Sequence, residues 1–376
     1  MFDQFIQHQP ELEGLCQQLR SEPWIALDTE FVRERTYYAK PCLIQLATPS
    51  AVIAVDPLAM PHLDPLLDIV YEPQILKVFH AARQDLELFY DMRGAVPTPV
   101  FDTQIAAALV GYEDQTSYAT LVESVLAIRL EKHATRTDWS KRPLTAAQLH
   151  YAEEDVRYLR DVYPRLTEKL LALRRSKWLA EECTRLTDTA LYRNDPVNAY
   201  TRIKQGHLLP AVGQPVLAAL ACWREHTAQT LDRPRNWILH DAVLLELARI
   251  RPQRVEQLSG IKGLAPKNAK RWGDVLVKQI TTAPSDPTVP LWETSTPLTA
   301  RQLALYERML ECLRACARRL GLSLALIASR KDVQALVRGD TGGTLLKGWR
   351  RQVVGEELLS MLGSDAADLG VSSTDR

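Results

Sequence analysis

The first half of the chain alternates short apolar runs with segments whose apolar residues recur every three or four positions. The apolar runs at residues 24–31 (WIALDTEF), 41–57 (PCLIQLATPSAVIAVDP) and 75–81 (ILKVFHA) predict strands. The middle run predicts a hairpin that turns near Pro49 and Ser50. Helical periodicity is found at residues 11–20, 83–92, 102–110 and 117–127. Strands mixed with helices in this way predict an α/β domain with helices on the faces of a sheet.

A long helical pattern begins at Thr145. Gln148 follows three residues later, which is the capping-box signature of a helix start. Apolar residues then recur three or four positions apart, which predicts one long amphipathic helix. These residues are Leu149, Ala152, Val156, Leu159, Tyr163, Leu166, Leu170 and Leu173. The residues predicted on the opposite, solvated face are Glu153, Arg157, Arg160 and Asp161. Tyr151 and Asp155 fall at the margin of the apolar stripe, where a carboxylate needs a partner.

The rest of the chain shows helical patterns in two blocks. The predicted organisation is an α/β domain at 1–190, a linker at 191–211, a helical domain at 212–282, a Pro-rich linker at 283–297, a second helical domain at 298–363 and a disordered tail at 364–376. Residues 223–249 align with residues 313–338 through a basic helix, a short turn and an Ile-Leu or Leu-Ile pair. The two helical domains are therefore predicted to be diverged copies, the second without the Pro-Arg turn of the first.

Composition and charge are those of a globular protein. Hydrophobic residues make up 46% of the chain and charged residues 24%, and 46 basic residues balance 46 acidic ones. A net charge of zero disfavours a passive nucleic-acid coat protein, so any nucleic-acid partner must bind local basic patches. The first residues lack the apolar h-region of a signal peptide, and no apolar run is long enough for a membrane span. Six scattered cysteines without a CxxC motif fit a reducing compartment, so we expect a cytoplasmic protein.

Two acidic residues interrupt the first predicted strand. Asp28 and Glu30 are two positions apart, so both side chains would lie on the same face, about 6.6 Å apart along the strand. Buried carboxylates are costly unless they are paired or bound to metal. Two interpretations are open. Either Asp28 starts a turn and Glu30 is solvated, or both carboxylates reach a divalent cation.

Two further aspartates lie at predicted helix starts. Asp85 lies near the start of a helix, where the helix dipole favours an acidic side chain. Asp102 also lies at a helix start, and we interpret it as an N-cap. Neither residue alone indicates more than helix stabilisation.

Together these segments resemble a known enzyme family. ALDTEF (26–31), FHAARQDLELF (79–89) and DWSKRPLTAAQLHYAEEDVRYL (138–159) look like the three motifs of the Asp-Glu-Asp-Asp superfamily of 3′-to-5′ exonucleases. The Tyr-x-x-x-Asp spacing of the third motif marks the tyrosine branch. Residues 231–249 (LDRPRNWILHDAVLLELAR) look like the helicase-and-ribonuclease-D C-terminal domain. Over nearly all 376 residues the chain is similar to the ribonuclease D family.

The resemblance implies both a fold and a site. The fold would be an α/β ribonuclease H-like exonuclease domain, a mixed sheet flanked by helices, followed by two small all-α domains. The residues implied to bind metal are Asp28, Glu30, Asp85 and Asp155. Two divalent ions, Mg²⁺ or Mn²⁺, would be the cofactors, because hard cations prefer oxygen ligands. Tyr151 would orient the attacking water, since a phenol with pKa about 10 is a poor base. Phe31 would stack near the terminal bases, or else belong to the core.

The activity implied is metal-dependent 3′-to-5′ hydrolysis of RNA that releases 5′-mononucleotides, in tRNA 3′-end maturation. Two alternatives stay open. A DNA exonuclease of the proofreading type would use the same acids, because discrimination between RNA and DNA depends on contacts to the 2′-hydroxyl. A catalytically silent RNA-binding scaffold is disfavoured because all five motif residues are present. We expect a monomer that acts on tRNA precursors and other structured RNAs.

Basic residues in the helical domains are candidates for RNA contact. Residues 258–273 (LSGIKGLAPKNAKRWG) combine Gly turns with Lys262, Lys267, Lys270 and Arg271 near a helix start, which suits a phosphate. The segment loosely resembles a helix-hairpin-helix loop, with Ala265 in place of a second glycine. The basic residues of the second copy are Arg314, Arg318, Arg319, Arg330, Lys331, Lys347, Arg350 and Arg351. A solvated helix face is the alternative for both sets.

Overall fold

The computed structural model describes residues 2–130, 137–283, 292 and 296–367, with the backbone alone for 364–367. The disordered tail was predicted at 364–376, but residues 364–367 belong to a helix that runs Glu356–Ala367. The rest of that tail and most of the predicted Pro-rich linker lie outside the described residues. The strands are β1 (Gln4–Ile6), β2 (Trp24–Val32), β3 (Lys40–Ala47), β4 (Val52–Val55), β5 (Leu76–Phe79) and β6 (Val100–Asp102). Within the described part, they form one sheet in the order β1-β4-β3-β2-β5-β6.

The sheet is mixed, as the family resemblance implies. β3 and β4 form the antiparallel hairpin, whereas β1 runs parallel to β4, and β5 runs parallel to both β2 and β6. The strands predicted from residues 24–31, 41–57 and 75–81 are confirmed. β1 and β6 were not predicted, because three residues are too few to show a period of two.

Helices cover this sheet. Those that precede the third motif are α1 (Gln9–Leu19), α2 (Asp64–Val70), α3 (Arg83–Arg93), α4 (Thr103–Leu109) and α5 (Tyr118–Leu126). The predicted helices at 11–20, 83–92, 102–110 and 117–127 are confirmed to within two residues at each end. Ser117 caps α5 by accepting the backbone N–H of Thr120. α2 was not predicted.

The predicted long helix is two helices. α6 (Ala146–Arg157) begins with the predicted capping box of Thr145 and Gln148, and α7 (Leu159–Ala172) follows after a break at Tyr158. The prediction of one continuous helix was wrong because the apolar period runs unchanged through the break.

The prediction that Glu153 is solvated was also wrong. Glu153 is 1% exposed and pairs with Arg157 one turn along α6. An arginine at this spacing neutralises the carboxylate, so the acid can be buried.

The chain divides into two compact units. The first contains Met1–Phe31, Pro41–Leu191 and Pro297–Arg376, and the second contains Val32–Lys40 and Tyr192–Thr296. In the second unit, the helices are α9 (Gln214–Thr230), α10 (Arg235–Ile238), α11 (Asp241–Ile250) and α12 (Pro266–Thr282), with 3₁₀ turns at Pro196–Arg202, Gly206–Leu208, Ala211–Gly213 and Val255–Gly260. Their apolar faces enclose one core.

The loop between β2 and β3 is part of this second unit. Tyr37 is buried there, and its hydroxyl donates to the carboxylate of Glu225, which Arg202 also contacts. The backbone amides of Tyr37 and Tyr38 donate to Asp232 at 2.9 and 3.1 Å. The segment that follows strand β2 is therefore held by the first helical domain.

The C-terminal helices belong to the first unit. They are α13 (Ala300–Leu320), α14 (Leu324–Ile327), α15 (Arg330–Val337), α16 (Gly348–Arg350) and α17 (Glu356–Ala367), with a 3₁₀ turn at Thr344–Leu346 and a π turn at Arg351–Gly355. α8 (Ser176–Leu186) and a 3₁₀ turn at Thr189–Leu191 complete this unit. The succession of a long helix, a four-residue helix and a third helix is the same in α9–α11 as in α13–α15.

Arg350 corrects the prediction of a basic surface on the second copy. Its side chain is 7% exposed, pairs with Glu182 of α8 and donates to the carbonyls of Ile327 and Leu326 at 3.0 and 2.7 Å. The neighbouring Trp349 stacks on Trp178 of α8, with 4.6 Å between ring centroids. These two residues fix the C-terminal helices to α8 instead of contacting solvent.

The cysteines and the apolar lengths of the helices can be compared with the sequence analysis. Their cysteines are free thiols, and burial raises the pKa of several of them. No helix in the described ranges combines the length and the apolarity that crossing a bilayer requires.

Candidate active site

Strand β2 carries the first two acids. Ile25, Ala26 and Leu27 are fully buried, and the parallel register with β5 ends at Ala26, which pairs with Val78. Asp28 and Glu30 follow, half-buried and on one face of the strand. Both acids lie at the carboxyl end of the parallel pair, where ligands of α/β sheets commonly bind.

Helix α6 brings the third acid. One carboxylate oxygen from each of Asp28, Glu30 and Asp155 can be chosen so that all three lie within 4.8 Å of one another. Asp155 is more than 120 positions away from the other two in the chain, yet the three residues form one cluster. We call these three residues the acid cluster.

Asp85 lies beside the acid cluster but is not part of it. It is 7% exposed, in the first turn of α3, and accepts a hydrogen bond of 2.6 Å from the hydroxyl of Thr29. Its charge nevertheless raises the pKa of both Asp28 and Glu30, so it lies within their electrostatic reach. The hydrogen bond from Thr29 was not predicted, because Thr29 and Asp85 are 56 residues apart in the chain.

Burial raises the pKa of every acid at this site, and the charges of neighbouring acids add to the shift of Asp28, Glu30 and Asp155. Burial raises the pKa of Glu30 to about 8, with a further contribution from Asp155 and Asp85. Burial raises the pKa of Asp155 to about 7, although a hydrogen bond from Tyr151 opposes the shift. Burial also raises the pKa of Asp85 to about 7 and that of Asp28 well above its usual range.

This donor set suits a divalent metal ion. Within the described part of the chain, no lysine or arginine forms a salt bridge with the three acids of the cluster. Clustered carboxylates without a cation repel one another, and oxygen ligands are what Mg²⁺ and Mn²⁺ prefer. The arrangement therefore fits a divalent cation, which would supply the missing positive charge.

Tyr151 lies one turn before Asp155 on α6 and donates its hydroxyl hydrogen to that carboxylate. Burial and the charges of Asp155, Glu30 and Asp28 raise the pKa of Tyr151, so the phenol stays protonated at neutral pH. Its ring lies 6.1 Å from that of Trp139, which is 4% exposed. Tyr151 is thus a fixed hydrogen-bond donor and not a base.

A separate ion pair fixes the segment that leads to α6. Asp56 is 1% exposed and accepts two hydrogen bonds from Arg142, of 2.7 and 2.6 Å. Arg142 also donates to the carbonyls of Trp139 and Cys42. Burial alone would raise the pKa of Asp56, but Arg142 reverses the shift and lowers it. The pair holds the start of the third motif against β3 and β4.

The interpretation of Asp102 as an N-cap is confirmed. Its carboxylate accepts the backbone N–H groups of Gln104 and Ile105 at 2.8 and 3.3 Å. It also accepts those of Ala81 and Ala82 at 3.2 and 2.9 Å, which the sequence did not indicate. Asp102 therefore also fixes the turn from which α3 and Asp85 begin.

The candidate nucleic-acid contacts are distributed over both units. Phe31 is half-buried next to Glu30 in the first unit. Lys262, Lys267, Lys270 and Arg271 are exposed in the second unit, around the start of α12. Arg271 lies over the ring of Trp272 at 4.5 Å from its centroid. All four basic side chains are accessible to a phosphate backbone.

Comparisons with known proteins agree with this architecture. A 3′-5′ exonuclease family model matches residues 4–171, and an HRDC domain model matches residues 214–280. Ribonuclease D of Jannaschia sp. is 39% identical over 95% of this chain and 94% of its own, and ribonuclease D of Pseudomonas paraeruginosa is 35% identical over 96% and 98%.

A solved structure of a ribonuclease D is also similar to this chain. The crystal structure of Escherichia coli RNase D, an exoribonuclease involved in structured RNA processing, has a TM-score of 0.84 to this chain. The two are 30% identical, and the match covers 97% of this chain and 99% of the other. Taken with the acids on β2, α3 and α6, these likenesses show that the chain belongs to the ribonuclease D family of 3′-to-5′ exoribonucleases.

Proposed function

We propose that this enzyme uses two divalent ions, Mg²⁺ or Mn²⁺, to hydrolyse RNA from its 3′ end and release 5′-mononucleotides. Asp28, Glu30 and Asp155 would hold these ions, and Asp85 would join them by exchanging its hydrogen bond from Thr29 for a metal contact. When bound, the ions would neutralise charge on the scissile phosphate and promote ionisation of the attacking water.

The acid cluster carries this proposal. Burial, followed by the charges of nearby acids, raises the pKa values of all three groups, whose carboxylate oxygens lie within 4.8 Å of one another. A bound cation would compensate this cost. A fold that required no cation there would gain stability by replacing any of these acids with a neutral side chain. The cluster is therefore best explained as a binding site for positive charge.

The other side chains would orient the reactants. Tyr151 stays protonated, so its hydroxyl would hold the attacking water without removing its proton, by exchanging its hydrogen bond to Asp155 for one to that water. Phe31 would stack on a terminal base, a contact that tolerates any sequence.

Substrate positioning would fall to the helical domains. We assign the nuclease to residues 1–190 and RNA positioning to residues 212–282 and 298–363. Lys262, Lys267, Lys270 and Arg271 would contact the phosphate backbone. E. coli RNase D processes structured RNA, and we infer the same substrate class here: tRNA precursors with 3′ extensions, trimmed in the cytoplasm by a monomer.

The test is a nuclease assay with RNA labelled at its 3′ end and single-stranded DNA of the same sequence. With Mg²⁺, labelled 5′-mononucleotide should be the first product from RNA, and a chelator should abolish its release. The Asp28→Asn variant, purified in parallel, controls for contaminating nucleases. Labelled oligonucleotides as first products, or equal rates with chelator, would contradict the proposal.

A further inference from the structure

The helix that carries Tyr151 and Asp155 is interrupted three residues after Asp155. α6 ends at Arg157 and α7 starts at Leu159, with Tyr158 between them. A break in a helix leaves backbone carbonyl and N–H groups without their usual partners four residues away. Sharp changes of this kind have identifiable causes, one of which is a side chain inserted into the hydrogen-bond ladder.

Tyr118 is inserted at this break. Its hydroxyl donates a hydrogen bond of 2.7 Å to the carbonyl oxygen of Glu154, the residue directly before Asp155. The backbone N–H groups of Tyr158 and Leu159 lower the pKa of the Tyr118 phenol, so they lie near its oxygen. The Tyr118 hydroxyl is thus placed at the break and satisfies the carbonyl of Glu154.

The position of Tyr118 is itself fixed. It is the first residue of α5, directly after the N-cap Ser117, and its ring lies 5.5 Å from that of His80. His80 is held in turn by Thr103 Oγ1 at 2.9 Å and by the carbonyl of Thr116 at 3.1 Å. The Tyr118 ring is therefore packed against a side chain that connects the end of β5 to the start of α4.

Tyr118 is also within the electric field of the acid cluster. Burial, followed by the charges of Asp155 and Asp28, raises its pKa. The phenol remains protonated at neutral pH and stays a donor to Glu154. Its hydroxyl is oriented by the helix and not by a carboxylate, unlike that of Tyr151.

We propose that Tyr118 is a positioning residue for the exonuclease reaction: by holding the break between α6 and α7 it sets the direction in which α6 presents Asp155 and Tyr151. This inference rests on the proposed function, since it assigns Asp155 to the metal and Tyr151 to the water. A packing role alone would require the aromatic ring but not its hydroxyl.

The test removes the hydroxyl and keeps the ring. Tyr118→Phe should lower kcat between about tenfold and hundredfold, the range that displacing catalytic groups by a fraction of an ångström to about 1 Å produces. KM for RNA should stay within twofold, because Tyr118 does not touch the substrate. Mn²⁺ affinity, measured on the metal-free protein by titration calorimetry, should weaken about tenfold or more, as for other residues that orient metal ligands.

Tyr71→Phe is the matched control. The Tyr71 hydroxyl donates to a backbone carbonyl of α3, that of Phe89, at 2.8 Å, so the same chemical group is removed from a comparable hydrogen bond. This variant should lose some thermal stability but keep kcat and Mn²⁺ affinity within twofold of the wild type.

The outcomes separate the two claims. If the wild type requires no divalent ion, the proposed function fails. If the wild type requires one and Tyr118→Phe matches it in kcat and Mn²⁺ affinity, the positioning role of Tyr118 is wrong. A Tyr118→Phe protein that melts lower than wild type, yet has full activity per folded molecule, would also overturn it.

Discussion

The exonuclease body buries carboxylates in two contrasting ways. At Asp56 the compensating charge is part of the chain, since Arg142 binds the carboxylate with two nitrogens and lowers its pKa. In the acid cluster of Asp28, Glu30 and Asp155 the neighbours are other acids, and the pKa values rise. Both arrangements bury acids, but only the negative charge of Asp56 is balanced by a positive side chain.

We expect this difference to separate structural acids from functional ones. A carboxylate matched by an arginine stabilises the fold and is available for nothing else. A group of unmatched carboxylates costs folding energy, and it persists where an external cation completes it. The two sites should therefore respond in opposite ways to the same substitution, which can be tested with Asp→Asn changes that alter charge but hardly alter shape.

The largest effect is expected on catalysis. Asp155→Asn should lower kcat about 10³-fold or more, because metal ions contribute several kcal/mol to stabilising a phosphoryl transition state. Asp56→Asn should keep kcat per folded molecule within a few fold. Single-turnover release of nucleotides from labelled RNA measures both. Equal losses in the two variants would remove the distinction between the sites.

Removing the hydroxyl of Tyr151 should have the next largest effect on turnover. Tyr151→Phe loses the donor proposed to hold the attacking water, so we expect kcat to fall between about tenfold and hundredfold, with substrate binding nearly intact. Steady-state kinetics with saturating RNA give the measurement. A variant with wild-type kcat would exclude Tyr151 from the mechanism.

Stability should change most at the complete ion pair. Asp56→Asn leaves Arg142 without its carboxylate, and breaking a buried pair costs about 3–5 kcal/mol of unfolding free energy. We expect the lower end of that range because the Arg142 side chain is 25% exposed. Urea denaturation of the metal-free proteins provides the test. Asp28→Asn should leave stability equal or higher, because it relieves repulsion.

The two sites should also differ in their pH dependence. Unfolded acids ionise near pH 4, whereas burial raises the pKa of Asp155 and Asp85 to about 7 and that of Glu30 to about 8. Between about pH 4 and pH 8 these acids bind more protons in the native state than in the unfolded state. The unfolding free energy of the metal-free protein therefore falls as pH rises through this window. Asp56 has a lowered pKa and contributes no change in this window.

Melting temperatures of the metal-free protein at pH 5.5 and pH 8 measure this effect. Saturating Mg²⁺ should reduce the loss at pH 8, because bound cations favour the ionised acids. A metal-free protein that melts higher at pH 8 than at pH 5.5 would show that the acid cluster is not strained.

The smallest effect is expected at the basic residues of α12. The double variant Lys267→Ala and Lys270→Ala should raise KM for RNA about three- to tenfold and leave kcat unchanged, because phosphate contacts add affinity and no chemistry. Its binding should depend less on salt, with a slope reduced by about one for each lysine that binds a phosphate in the wild type. Lys177→Ala, also at an exposed lysine, is the control and should bind like the wild type.

Much of this architecture could be predicted from local pattern. The strands at Trp24, Pro41 and Leu76 and the capping box at Thr145 each depend on neighbouring residues, which the sequence displays directly. The convergence of Asp28 and Asp155 on one cluster could not be derived from spacing, and it entered as an implication of family resemblance.

The unpredicted features depend on partners distant in the chain. Tyr118 and Glu154 are 36 residues apart, so nothing in either segment indicates that one occupies a break in the other's helix. Arg350 looks like any other residue of a basic run until Glu182, 168 residues away, is placed beside it. Arg157 lies four residues after Glu153, a spacing at which the two side chains can pair. Exposed helix pairs use the same spacing, so the sequence does not show that Glu153 is buried.

The loop of Val32–Lys40 has a consequence for dissecting this enzyme. It continues from the strand that bears Asp28 and Glu30, yet Tyr37 is buried against α9 and bonded to Glu225. A fragment ending at residue 190 would expose this tyrosine and discard its acceptor. We therefore expect such a fragment to lose the order of residues 32–40, which continue directly from β2.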